Sequence, residues 1–141
     1  MNNPQLYAII CIDDDPIILN VLDFQLRKQI QNDQIIFEYF TNPEIAVTEI
    51  LQMTEKGVTP IILITDYQMP QITGAKVIRD VKQKLRNLKC IMLSGQANAI
   101  QVDDLVNEEL LTAFIPKPWS ESELFATLLN ILEEKNLLVI K

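Results

Sequence analysis

Short apolar runs alternate with stretches of helical apolar spacing along the whole chain. Residues Leu6–Ile12 form the first run, which is continuously apolar and stops abruptly at acidic residues. Such a run is typical of a strand that is covered on both faces. From Pro16 onward, apolar side chains recur every four residues, which predicts a helix that begins near this proline. The same unit recurs, with strands predicted at 35–40, 61–65, 90–93 and 113–115 and helices at 43–57, 74–85, 100–110 and 120–132.

This alternation predicts an α/β fold, because parallel neighbours in a sheet need crossover connections that are usually helical. We therefore expect one doubly wound domain, a five-stranded parallel sheet with helices on both faces. A length of 141 residues with 48% apolar composition allows one sizeable core. The domain is expected to cover residues 5–133, and residues 134–141 are interpreted as a tail that either extends the last helix or begins a linker.

Polar residues whose side chains can bind a ligand or react stand directly after the predicted strands. In open α/β sheets, ligands bind outside the carboxyl ends of the strands, at the point where strand order reverses. If the first and third strands are neighbours there, Asp13, Asp14 and Asp66 converge. Carboxylates this close repel one another and need positive charge. Mg²⁺ is suited to the position because it takes oxygen ligands and uses one or two carboxylates, and Lys117 after the fifth strand adds a fixed positive charge.

The same strand ends also describe a cradle for a phosphoryl group. Ser94, after the fourth strand, offers a hydroxyl, and Lys117 offers an ammonium that can pair with an anionic oxygen. A carboxylate can attack phosphorus and form an acyl phosphate when charge on the phosphoryl oxygens is neutralised. Asp66 is the candidate nucleophile because it ends the central strand.

Composition removes several other classes of function. The chain contains no histidine, which excludes a histidine-ligated zinc site and any catalytic triad or dyad that uses histidine. Cys11 and Cys90 both lie in apolar runs and are interpreted as reduced core residues. A net charge of −7 disfavours direct binding of nucleic acid. The apolar runs are too short to span a bilayer, and no signal peptide is recognisable, so a cytoplasmic location without membrane contact is expected.

Taken together, these residues resemble the receiver domain of response regulators in two-component signalling. The resemblance runs from residue 6 to residue 132. It depends on four elements in order, each at a strand end: Asp13 and Asp14, the segment DYQMPQITG at 66–74, Ser94, and Lys117 with Pro118. It implies the flavodoxin-like strand order 2-1-3-4-5 and a cis bond between Lys117 and Pro118.

The resemblance also implies roles for individual residues. Asp66 would be the phosphoacceptor, with Ser94 and Lys117 as partners of the phosphoryl oxygens. The metal, Mg²⁺, would be bound by Asp66, by Asp14 directly, by Asp13 mainly through water, and by the backbone carbonyl of Gln68. Ser94 and an aromatic residue three positions before the lysine would form the switch. That position often holds tyrosine, and here it is Phe114, which has no hydroxyl.

The partners implied are a sensor histidine kinase or a phosphotransfer protein as phosphoryl donor, and an output domain or protein that the sequence does not identify. The sequence leaves open whether the domain forms a homodimer. The chain would catalyse its own phosphorylation and a slow autodephosphorylation without being a metabolic enzyme.

Two other classes of function stay open beside this one. A receiver-like module that binds a protein and is never phosphorylated has the same fold, and Phe114 leaves room for it. An enzyme of similar topology is the other alternative. An aspartyl phosphatase requires a second acidic residue at the position of Gln68. A flavin carrier requires a phosphate-binding loop at residues 13–15, which are acidic here and would repel phosphate.

Overall fold

Five parallel strands form one sheet in the order 2-1-3-4-5 in the computed structural model, which describes residues 5–95 and 99–137. This confirms the predicted fold class and strand order. The central strands are apolar because helices cover both faces of the sheet. The strands are β1 (Leu6–Ile12), β2 (Ile35–Phe40), β3 (Val58–Thr65), β4 (Lys89–Leu93) and β5 (Ala113–Ile115).

Five α-helices connect and follow the strands: α1 (Pro16–Gln29), α2 (Pro43–Met53), α3 (Gly74–Lys82), α4 (Ala99–Asn107) and α5 (Glu121–Glu134). A 3₁₀ turn (Thr54–Lys56) extends α2 and ends at Gly57, whose φ of 84° is the left-handed conformation expected of a closing glycine. Side chains cap the helices, because the first backbone N–H groups of a helix lack internal partners. Asn42 and Ser120 cap α2 and α5, and Asp15 and Thr73 cap α1 and α3.

The core consists of two apolar layers, one on each face of the sheet. On one face, α2, α3 and α4 pack on alternate residues of the central strands, such as Ile10 and Leu63. On the other face, α1 and α5 pack on the intervening residues, such as Ile9 and Ile62. Cys11 and Cys90 are fully buried in these layers. Burial raises the pKa of both thiols, that of Cys90 to about 12, which agrees with their interpretation as reduced core residues.

Several boundaries differ from the predicted ones. β3 begins three residues before the predicted start and contains Pro60, where the pairing with β1 shifts register: Ala8 pairs with Pro60, and Ile9 pairs with Ile62. Proline has no N–H to donate, so an irregularity at this position is expected. α4 ends at Asn107 rather than at 110, because Glu109 adopts a φ of 59° that no α-helix can include. α3 likewise ends three residues earlier than predicted.

Leu137, after the end of α5, belongs to the apolar layer formed by the sheet, α1 and α5. Leu137 is buried, and its N–H donates to the carbonyl of Leu132 at 2.7 Å. Residues 138–141 of the predicted tail lie outside the described residues. Within the part of the chain that the structure describes, no helix has the length and apolar content needed to cross a membrane.

Candidate functional site

Strand pairing places Asp13 and Asp66 side by side at the carboxyl edge of the sheet. The last paired residues of β1 and β3 are Ile12 and Thr65, and each aspartate follows directly. Backbone hydrogen bonds continue past the strands: the N–H of Asp66 donates to Ile12 at 3.0 Å, and the N–H of Asp13 donates to the carbonyl of Phe40 at 3.1 Å. Both backbones are therefore held by the sheet rather than by a loose loop.

Three carboxylates converge at this edge. Carboxylate oxygens of Asp13, Asp14 and Asp66 all lie within 4.8 Å of one another. Asp13 and Asp66 are buried, and Asp14 is exposed. One oxygen of each buried acid is oriented by the backbone: Oδ1 of Asp66 accepts from the N–H of Tyr67 at 2.7 Å, and Oδ1 of Asp13 accepts from the N–H of Asp15 at 2.9 Å.

The ammonium of Lys117 faces the other oxygen of each buried acid. Its Nζ lies 2.6 Å from Oδ2 of Asp13 and 3.4 Å from Oδ2 of Asp66. The lysine backbone is tied to β4, because its N–H donates to the carbonyl of Ser94 at 3.3 Å. The bond between Lys117 and Pro118 is cis, as the resemblance implied.

Burial and charge act in opposite directions on the pair formed by Asp13 and Lys117. Burial raises the pKa of Asp13, and this effect outweighs the hydrogen bond and charge of Lys117, which lower it. Burial lowers the pKa of Lys117, but the hydrogen bond to Asp13 and the charges of both carboxylates raise it above its ordinary value. Lys117 is thus held in the charged form. The positive charge near Asp13 does not fully offset the cost of burying its ionised carboxylate.

The loop after Asp66 is shaped by a very close approach at Gly74. A Cβ on Gly74 would lie 2.0 Å from the carbonyl oxygen of Asp66 and 3.2 Å from the Cα of Tyr67. The N–H of Gly74 donates to the carbonyl of Tyr67 at 2.8 Å. The glycine therefore allows the start of α3 to touch the backbone that carries Asp66.

The remaining site residues named from the sequence surround this centre at different depths. Ser94 is buried and lines one open cleft with Asp66, Lys117 and the exposed Gln68. Phe114 lies on β5, and 38% of its surface is exposed, so its ring is not packed in either apolar layer.

Two features of the site were not found from the sequence. Asp15 had been grouped with the other acids, but its carboxylate caps α1 by accepting from the N–H of Ile17 at 2.9 Å. The position of an aspartate directly before proline and an apolar helix could have indicated this. The indole N–H of Trp119 donates to Oε1 of Gln25 on α1 at 2.8 Å. No sequence signal links two residues so far apart in the chain.

The donor set is appropriate for a hard divalent cation. The three carboxylates and one ammonium leave two negative charges in surplus at a largely buried position. Carboxylate oxygens at this spacing, with an open cleft beside them for water, are what Mg²⁺ prefers. The residues present therefore fit the metal.

Comparison with known proteins identifies relatives of this arrangement. The profile of the response regulator receiver domain matches residues 9–129. The hydrogenase transcriptional regulatory protein HoxA of Cupriavidus necator is 26% identical over 76 residues, which are 54% of this chain and 16% of that protein. Hybrid signal transduction histidine kinase D of Dictyostelium discoideum is 24% identical over 127 residues, which are 88% of this chain and 8% of that protein. The chain thus spans a small part of each curated relative.

Solved structures show the same fold. A signal receiver domain of an HD domain-containing protein from Pseudomonas fluorescens superposes with a TM-score of 0.77 at 20% identity, covering 94% of this chain and 98% of that one. A CheY-like response regulator receiver domain protein from Methanospirillum hungatei also has a TM-score of 0.77 at 20% identity, with 93% and 97% covered.

Proposed function

Because the chain belongs to the response regulator receiver domain family of two-component signalling, we propose that it accepts a phosphoryl group on Asp66 from a phosphohistidine of a sensor kinase or phosphotransfer protein. The observation that carries this proposal is the placement of Lys117 between the buried carboxylates of Asp13 and Asp66. It supports the proposed roles of Asp66 as nucleophile, of the carboxylate oxygens as metal ligands and of Lys117 as fixed cation.

Each residue of the site has a separate task in the proposed reaction. Oδ2 of Asp66, the oxygen that faces Lys117, attacks phosphorus, the bond from phosphorus to the donor nitrogen breaks, and its electron pair stays on the leaving imidazole. Lys117 and Ser94 bind phosphoryl oxygens and orient them for in-line attack. Asp13, Asp14, Asp66 and the carbonyl of Gln68 would hold Mg²⁺. When bound, the metal supplies positive charge to the phosphoryl oxygens.

The acyl phosphate would later be lost by attack of water on phosphorus, which returns Asp66 to a carboxylate. Such slow self-dephosphorylation makes the chain a timed phosphoacceptor rather than a metabolic enzyme. We propose that the domain acts in the cytoplasm, where its donor is found, and that its output passes through β5 and the neighbouring helices by way of Ser94 and Phe114.

A surface for the phosphoryl donor is available next to the site. α1 begins three residues after Asp13 and exposes the large apolar side chains Ile17, Val21 and Phe24. Exposed apolar side chains at this spacing form one stripe along the helix. The stripe supports docking of the donor protein beside Asp66, because apolar patches rimmed by polar residues often mark protein contacts.

The test is incubation with acetyl phosphate and Mg²⁺, followed by intact mass measurement. We expect the addition of one phosphoryl group, its loss in Asp66→Asn, and its loss when a chelator removes the metal. Asp33→Asn, which changes an exposed carboxylate away from the site, should be labelled like the wild type. Absence of labelling in the wild-type chain would refute phosphoacceptance and favour the alternative, a receiver-like module that binds a partner unphosphorylated.

A further inference from the structure

Trp119 joins the loop that carries Lys117 to helix α1. None of the roles proposed above uses this tryptophan. Its indole N–H donates to Oε1 of Gln25 at 2.8 Å, and both side chains are half-buried. The tryptophan is partly buried against the apolar layer between the sheet, α1 and α5. Its position is therefore defined by packing on one side and by a directional hydrogen bond on the other.

This bond completes a closed path of contacts around the site. α1 starts at the acidic loop, because Asp15 caps the helix and donates its own N–H to Asp13. Asp13 in turn accepts from the Nζ of Lys117. Trp119 is two residues beyond Lys117, so its bond to Gln25 returns the path to α1. The lysine is thus fixed from both sides, by β4 through the carbonyl of Ser94 and by α1 through Trp119.

We infer that Trp119 and Gln25 are positioning residues that set where the ammonium of Lys117 stands relative to Asp13 and Asp66. This inference builds on the proposed phosphoacceptor function. A lysine side chain is long and flexible, so the location of its charge depends on how firmly its backbone is held. Small displacements of a group that binds the reacting phosphoryl oxygens are costly for rate.

The inference predicts effects of opposite sign on two measurable quantities. The ammonium of Lys117 competes with a metal ion for the carboxylates of Asp13 and Asp66. Loosening the loop therefore raises Mg²⁺ affinity, by roughly twofold to fivefold, as for a weakened and partly exposed ion pair. It lowers the rate of phosphorylation by acetyl phosphate at saturating Mg²⁺, by roughly tenfold. General loss of structure would lower both.

The experiment uses two variants that each remove one side of the bond. Trp119→Phe keeps an aromatic ring and loses the donor, and Gln25→Met keeps the length and helix propensity and loses the acceptor. The matched control is Gln29→Met, one turn further along α1, where the amide donates to Glu121 of α5 at 2.9 Å. That bond joins α1 to α5 and does not hold the lysine loop. Mg²⁺ affinity is measured by calorimetry, and the phosphorylation rate by intact mass.

A second reading comes from the fluorescence of Trp119, which is the only tryptophan of the chain. Gln25→Met should shift its emission, and Gln29→Met should leave it unchanged.

The variants are then repeated with Lys117→Met, which removes the ammonium itself. If the anchor acts through the lysine, neither Trp119→Phe nor Gln25→Met changes Mg²⁺ affinity further in that background.

Higher Mg²⁺ affinity with slower phosphorylation in both variants, absent in Gln29→Met and absent with Lys117→Met, supports the positioning role. Affinity and rate that fall together, or effects that persist with Lys117→Met, overturn it. Should the wild-type chain take up no phosphoryl group, the proposed function fails, and the Mg²⁺ affinities of the same variants still decide the inference.

Discussion

At the scale of single residues, the environment of Asp13 disfavours the ionised form of its carboxyl group. It is 3% exposed, and burial raises its pKa despite the ammonium of Lys117 at 2.6 Å. A carboxyl group with a pKa higher in the folded than in the unfolded chain binds its proton more tightly when folded. It therefore stabilises the fold at pH values below the unfolded pKa, and this contribution is lost as the pH rises through the folded pKa.

We predict that Asp13→Asn raises the free energy of unfolding at pH 7 without metal, because burial disfavours the ionised carboxylate of Asp13. Asparagine is neutral at every pH, so it avoids burying the charge while its side-chain carbonyl can still accept a hydrogen bond. The gain should shrink as the pH falls through the folded pKa of Asp13, where the wild-type carboxyl is itself neutral. Urea unfolding in the presence of a chelator, at neutral and at acidic pH, measures this.

Asp14→Asn is the control for that experiment, because Asp14 is exposed and belongs to the same cluster. A smaller gain than for Asp13→Asn is expected, since exposed charges cost little. Equal gains at both positions, or a gain for Asp13→Asn that does not depend on pH, would show that burial of Asp13 is not the cause.

At the scale of secondary structure elements, the contact between α3 and the end of β3 leaves no room for a side chain. α3 begins at Gly74, and a Cβ there would lie 2.0 Å from the carbonyl oxygen of Asp66, a backbone atom that cannot move independently of the sheet. We predict that Gly74→Ala lowers the free energy of unfolding by about 1–3 kcal/mol and slows labelling of Asp66, because the displaced backbone carries the nucleophile.

Gly95→Ala is the stability control for Gly74→Ala. A Cβ on Gly95 would meet its nearest atoms, in Lys117, at 3.6 Å and 3.7 Å, which is ordinary contact. Denaturant unfolding should therefore show a much smaller change for Gly95→Ala. A Gly74→Ala protein as stable as the wild type would mean that α3 can move away from β3 at little cost.

The elements also show what the sequence could predict and where it stopped. Ligands of open α/β sheets bind at the carboxyl ends of the strands, and this rule was enough to predict that Asp13, Asp66, Ser94 and Lys117 lie together. Parallel strands bring their carboxyl ends to one edge, whatever the details of packing. The register shift at Pro60 and the bond from Trp119 to Gln25 were not predicted. Both depend on how elements distant in sequence meet in space, which local periodicity does not contain.

At the scale of the whole molecule, the surplus of acidic residues acts on both reactants of the proposed reaction. The chain carries 19 acidic and 12 basic residues, a net charge of −7. This field attracts a divalent cation to the carboxylate cluster and repels an anionic phosphoryl donor such as acetyl phosphate. Dissolved salt screens both interactions, so its effect on labelling depends on which of the two limits the rate.

We predict a change of sign with Mg²⁺ concentration. Raising ionic strength from about 0.01 M to about 0.15 M shortens the Debye length from about 30 Å to about 8 Å. At Mg²⁺ concentrations below saturation, labelling of Asp66 should slow, because the affinity for the metal falls. At saturating Mg²⁺, labelling should quicken, because the donor anion meets less repulsion. Initial rates from intact mass, with NaCl as the only variable, measure both limits.

Asp33→Asn is the control for that experiment, because it removes one negative charge outside the site. A single exposed charge contributes little to the whole field, so its salt dependence should match that of the wild type closely. If salt slowed labelling below saturation but left it unchanged at saturating Mg²⁺, repulsion of the donor would be negligible. The attraction of the carboxylates of Asp13, Asp14 and Asp66 for the metal would then account for the electrostatics without a contribution from net charge.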